Sequence, residues 1–190
     1  MNMIIGTVGQ PSSRKRPCNF NTLIRIIINQ QVSTKAGAAI WKKLSFQLGS
    51  FSVKAVLDAG HSGLKKGGLS ASKAKYIWDL AQAIRQNKLK FAKLKSLSDV
   101  EACNYLMGFK GIGSWTANIF MMSAQCRPDL WPNNDLALQN TICYLFNLYA
   151  RPGLTDMDLI AERWRPYRSS AAVLLWHYYN RYSMNASCKK

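Results

Sequence analysis

LMGFKGIGSWTANIFMM, residues 106–122, reads as the end of one helix, a glycine-rich turn and the start of a second helix. The first helix opens at Ser98-Asp99-Val100-Glu101, which has capping-box spacing, and runs through Leu106. Gly111 and Gly113 permit positive φ and leave the neighbouring N–H groups uncovered. Beside the positive end of the next helix's dipole, those amides suit an anionic oxygen. Lys110 adds a point charge, and Ser114 stands at the helix start. A glycine pair alone fits an ordinary helix–helix connection equally well. Trp115 is the unusual element, because it sets an indole on the first turn of the second helix.

Outward from this hairpin, nearly every segment has helical period and strand alternation is scarce. Asn21–Asn29 carries Leu23, Ile24, Ile26, Ile27 and Ile28, which reads as a buried helix, although so dense a β-branched run also suits a strand. Ser33 or Thr34 can cap a helix bearing Ile40 and Leu44. From Ser72 onward, Ile77, Leu80, Ala81 and Ile84 form an amphipathic stripe. Further helices are expected near 114–126, 134–148, 156–163 and 166–182, the last with Pro166 in its first turn. The expectation is an all-α chain.

The composition points to a polyanionic partner. Lys and Arg number 26 against 9 Asp and Glu, a net charge of +17, and such an excess costs self-repulsion unless it serves an anion. No segment approaches the roughly 20 apolar residues of a spanning helix. The N-terminal MNMIIGTVGQPSSRKRP places its apolar residues before its basic ones, the reverse of a secretory signal. Cys18, Cys103, Cys126, Cys143 and Cys188 are odd in number, widely spaced and free of CxxC pairs. That argues against a disulfide framework or a zinc or iron–sulfur cluster, and it fits a reducing compartment such as a bacterial cytoplasm or a nucleus.

Five stretches in order carry a resemblance: IIINQQVSTKAGAAIW, GLSASKAKYIWDLA, the hairpin, RPDLWPNNDLALQNTI and ERWRPYRSSAAVLLW. Together they resemble the helix-hairpin-helix (HhH-GPD) DNA glycosylase superfamily, most closely its 3-methyladenine DNA glycosylase II branch. The resemblance implies a two-lobed helical fold without the N-terminal β lobe of longer relatives. The N- and C-terminal segments would share one lobe, and roughly residues 35–130 would form the other.

It further implies a monofunctional enzyme that hydrolyses the N-glycosidic bond of alkylated bases in duplex DNA, with 3-methyladenine and 7-methylguanine as substrates. Asp135 matches the catalytic position. As the bond to the base stretches, the sugar becomes cationic, and a carboxylate stabilises that charge. Asn133 or Asn134 is expected to cap the following helix and place Asp135 on its first turn. Trp115 would stack on the flipped base, whose alkylation gives it a positive charge that an indole face attracts. Trp176 matches a second pocket aromatic, with His177 beside it. Gln31 aligns with the residue that fills the gap left by the flipped nucleotide, and Arg168 is expected to tie helices together. Where Trp115 stands, lyase-competent relatives carry a nucleophilic lysine, so no lyase step is expected. No cofactor is implied beyond a monovalent cation held by hairpin carbonyls. The partner is damaged double-stranded DNA, not a membrane, and the protein is expected to be a monomer. Two alternatives stay open: a glycosylase for deaminated or oxidised bases on the same scaffold, or a damaged-DNA binder without catalysis.

Overall fold

The structure is a computed structural model that describes residues 1–182, apart from the side chain of Asn2. Among those residues it is all-helical, with ten α-helices and no strand. The helices are α1 (Asn2–Val8), α2 (Phe20–Asn29), α3 (Thr34–Leu48), α4 (Val53–Lys66), α5 (Ala71–Arg85), α6 (Asp99–Met107), α7 (Ser114–Ala124), α8 (Leu136–Leu145), α9 (Leu154–Ala161) and α10 (Arg168–Arg181). Short 3-10 turns cover Phe91–Lys95 and Glu162–Trp164. The chain divides into two compact units. One joins Met1–Lys15 to the chain from Cys126 onward, and the other is Arg16–Gln125.

In the Arg16–Gln125 unit, serine oxygens start four helices. Ser33, Ser52, Ser70 and Ser98 each accept an N–H from the first turn of α3, α4, α5 and α6. At Ser98 the capping box is complete, because Glu101 reaches back to the Ser98 amide at 2.9 Å. The expected stripe near residue 72 therefore begins at Ala71, with Ser70 as its cap. The β-branched run of α2 becomes a helix buried almost all round. Leu23, Ile24, Ile27 and Ile28 are fully buried, and α2 packs on α3, α5 and α7. Those contacts place α2 with the central helices, so this unit starts at Arg16 rather than near residue 35.

In the other unit α10 is the central element, packing on α1 and α8. It begins at Arg168, and Pro166 lies outside the helix rather than in its first turn. The start is fixed from a distance. The amide of Arg168 donates to Asp129 Oδ1 at 3.3 Å, and that of Ser169 donates to the Pro128 carbonyl at 2.9 Å. Cys18, Cys103 and Cys126 are free thiols. Cys188 lies outside the described residues.

Candidate active site

Asp135 is the one buried charged side chain among the described residues, with 8% of its surface exposed. An ionised carboxylate is costly to bury unless hydrogen bonds replace its water. Two of them converge on Oδ1: the Leu138 amide at 3.0 Å and the Trp176 indole N–H at 3.0 Å. The first bond corrects the expected capping. Asp135 is itself the N-cap of α8. Asn133 instead donates to Asp158 at 3.0 Å and accepts from Gln139 through its carbonyl. The reason lies in the turn before α8, where the Asp135 amide bonds back to the Pro132 carbonyl at 3.0 Å. That leaves Asp135, in extended backbone, as the last residue before the helix.

The loop bearing Asp135 is held along one face of α10. Arg168 donates from Nε to Asp129 Oδ1 at 2.8 Å, and from Nη2 to Oδ2 and to the Asp129 carbonyl, both at 2.9 Å. Ser169 accepts the Leu130 amide at 3.0 Å. Two turns along, Trp176 reaches Asp135. Arg168, Ala172 and Trp176 share a face at four-residue spacing, and Ala172 has no exposed surface. Arg168 thus ties segments together, as its sequence context suggested.

Hydrogen bonding from Arg168 holds the Asp129 carboxyl below its ordinary value of 3.8. A carboxylate depressed in the folded state contributes stability above its unfolded pKa, and that contribution is lost as pH falls through the folded one. The expected outcome is that wild type loses stability below about pH 4 relative to Asp129→Asn. Urea melts of both proteins between pH 2 and 6 check this, and parallel curves would count against the bridge.

Trp176 and His177 are both half-buried, and each has a partner within this unit. The Trp176 N–H is committed to Asp135, and the Arg14 guanidinium lies 5.0 Å from its ring centroid. His177 Nε2 sits 2.9 Å from the Val8 carbonyl, which ties α1 to α10.

The Arg16–Gln125 unit carries the remaining candidates. Gly111 has φ +90 and needs to be glycine for two reasons: the left-handed backbone, and Tyr76, whose ring carbons would lie 2.5 Å from an added Cβ. Gly113 does not take the positive φ expected of it. It is the N-cap of α7 at φ −92, and a Cβ added there would meet nothing within 4 Å. No side chain caps α7, and Gly113 and Ser114 at its start are exposed. Lys110 is exposed and Trp115 half-buried.

Gln31 is exposed and held left-handed at φ +54. The residues before it are anchored. Gln30 Nε2 donates to the Gly111 carbonyl at 2.9 Å and to Thr116 Oγ1 at 2.7 Å. Lys73 Nζ donates to the carbonyls of Ile28 at 2.8 Å and Gln30 at 2.6 Å. Burial pushes the Lys73 ammonium below its ordinary pKa. Sequence reasoning missed Gln30 and Lys73, since neither stands out until α2, α5 and the hairpin are brought together.

Residues 24–166 match the family model described as HhH-GPD superfamily base excision DNA repair protein. The chain belongs to the HhH-GPD superfamily. It is 27% identical over 177 residues to DNA-3-methyladenine glycosylase 1 of Schizosaccharomyces pombe, covering 91% of this chain and 78% of that protein. To DNA-3-methyladenine glycosylase 2 of Escherichia coli it is 26% identical, covering 93% of this chain and 65% of that one. A Bacillus subtilis relative is 26% identical over 83% of this chain, which spans only 58% of that protein's length. Among solved structures, the S. pombe 3-methyladenine DNA glycosylase in complex with abasic DNA superposes with TM-score 0.85 at 24% identity, covering 99% of this chain and 93% of that one.

Among the described residues, no group of three or more His, Cys, Asp or Glu could hold a metal ion. No helix among them is long and apolar enough to cross a membrane.

Proposed function

We propose that this HhH-GPD protein is a monofunctional DNA glycosylase that hydrolyses the N-glycosidic bond of alkylated bases, 3-methyladenine foremost and 7-methylguanine second. The observation that carries this reading is Asp135, the one buried charge among the described residues, fixed by an indole N–H and a helix N-terminus. A carboxylate held this way cannot swing away as positive charge develops on the sugar, so its stabilisation needs no reorganisation. The names of the S. pombe and E. coli relatives support the substrate class. The net charge of +17 and the uncapped start of α7 support duplex DNA as partner, held by backbone phosphates without sequence readout. Trp115 takes the role of the aromatic on which the flipped base stacks.

No lyase step is proposed, because an indole at position 115 cannot form a Schiff base with the sugar. Methylated duplex DNA incubated with the protein should yield free 3-methyladenine and an abasic site, with no strand nick before alkali. Borohydride should trap no covalent complex. A trapped complex would assign a nucleophilic amine, with Lys110 the hairpin's candidate. Release of hypoxanthine or 8-oxoguanine in preference to methylated purines would move the substrate to deaminated or oxidised bases. Tight binding with no release of any base would leave a damage binder.

A further inference from the structure

The N-terminal segment lies outside the stretch that matches the family, yet it reaches the residues around Asp135. α1 packs on α10 and buries Ile4, and its last carbonyl, that of Val8, meets His177. The chain then runs without regular structure through Gly9–Lys15 and sets the Arg14 guanidinium over the Trp176 ring, 5.0 Å from its centroid. The same indole donates to Asp135 Oδ1. The exposed Arg14 is therefore held on the face of the residue that orients the carboxylate.

We propose that Arg14 is a DNA-binding residue that takes the phosphate next to the nucleotide whose sugar is held at Asp135. This rests on the glycosylase reading of Asp135. A buried carboxylate repels the phosphates flanking that sugar, and a planar guanidinium pairs with two phosphate oxygens at once. The indole face holds the guanidinium by cation–π attraction. A lysine there would supply a point charge without the fork.

The test is equilibrium binding of wild type, Arg14→Ala, Arg14→Lys and Lys15→Ala to a duplex carrying an uncleavable abasic-site analogue. The phosphates flanking that site are replaced one at a time by neutral methylphosphonate. If Arg14 takes one of them, Arg14→Ala lowers the salt slope of the logarithm of affinity by about 0.9. It also abolishes the loss of affinity that one particular methylphosphonate causes in wild type. Arg14→Lys keeps the salt slope and part of that sensitivity. Lys15→Ala removes the same charge from the neighbouring exposed residue and keeps the full sensitivity. Arg14→Ala with an unchanged salt slope, or with undiminished sensitivity at every flanking phosphate, overturns the assignment and leaves Arg14 as a tie between the N-terminal segment and α10. A wild type that binds this duplex but releases no base from methylated DNA would sink the glycosylase reading alone, because the phosphate coupling is read from binding.

Discussion

Asp135→Asn should fold and bind DNA like wild type, and it should release methylated bases slower by roughly two to three orders of magnitude. The substitution is nearly isosteric. Asparagine caps helices about as well as aspartate, so the Leu138 amide keeps an acceptor, and the amide oxygen also accepts the Trp176 N–H. What disappears is the negative charge. The positive charge on the sugar develops only in the transition state, and that is where the carboxylate's interaction with it is gained. The loss therefore belongs in kcat rather than KM. DNA affinity should hold or rise slightly, since an anion beside a polyanion has been removed. Single-turnover release from methylated duplex, with a thermal melt of the same preparation, checks both halves. Base release above a tenth of the wild-type rate, from a variant that melts normally, would falsify the assigned role. Asp135→Ala is a poorer probe, because it also strips the cap from α8 at about 1 kcal/mol and leaves the indole N–H without this acceptor.

The second large effect is on stability. Gly111→Ala should destabilise the protein by roughly 2–4 kcal/mol, combining a left-handed backbone with overlap on the half-buried Tyr76 ring. Both causes are in the geometry: φ is +90, and the new methyl would lie 2.5 Å from Tyr76. Gly113→Ala, two residues on, should cost far less, since φ is −92 and nothing lies within 4 Å of its Cβ position. Its effect should fall on DNA affinity, because a methyl group there sits at the uncapped start of α7. Adding Tyr76→Gly to Gly111→Ala should, measured against Tyr76→Gly alone, recover the steric part of the loss and not the backbone part, because Tyr76 Cβ itself would lie 2.6 Å from the new methyl. Chemical denaturation of the four variants separates the two causes. Equal stability of Gly111→Ala and Gly113→Ala would show that Tyr76 does not crowd the hairpin as described.

Two residues that the sequence presented as pocket lining also have partners within their own unit. Trp176 orients the carboxylate through its N–H and carries Arg14 on its face. His177 anchors α1. On the hairpin side, the exposed, left-handed Gln31 follows a segment anchored by Gln30 and Lys73. That rigid presentation is what a residue needs if it is to enter a base stack.

The sequence by itself determined the helical class, most helix starts and the hairpin. These are local properties. A serine oxygen meets the amide three residues on, as at Ser98 and Glu101, and an apolar stripe recurs every three or four residues, as along Ile77, Leu80 and Ala81. Adjacent residues encode them whatever the rest of the chain does. Tertiary structure alone decided that Asp135 caps α8 itself, that Pro166 stays outside α10, and that Trp176 donates to the carboxylate across 41 residues of sequence. It also decided that Gln30 reaches a hairpin carbonyl across 81. Those choices depend on which helix faces pack and at what distance, and no spacing within a single helix carries that information.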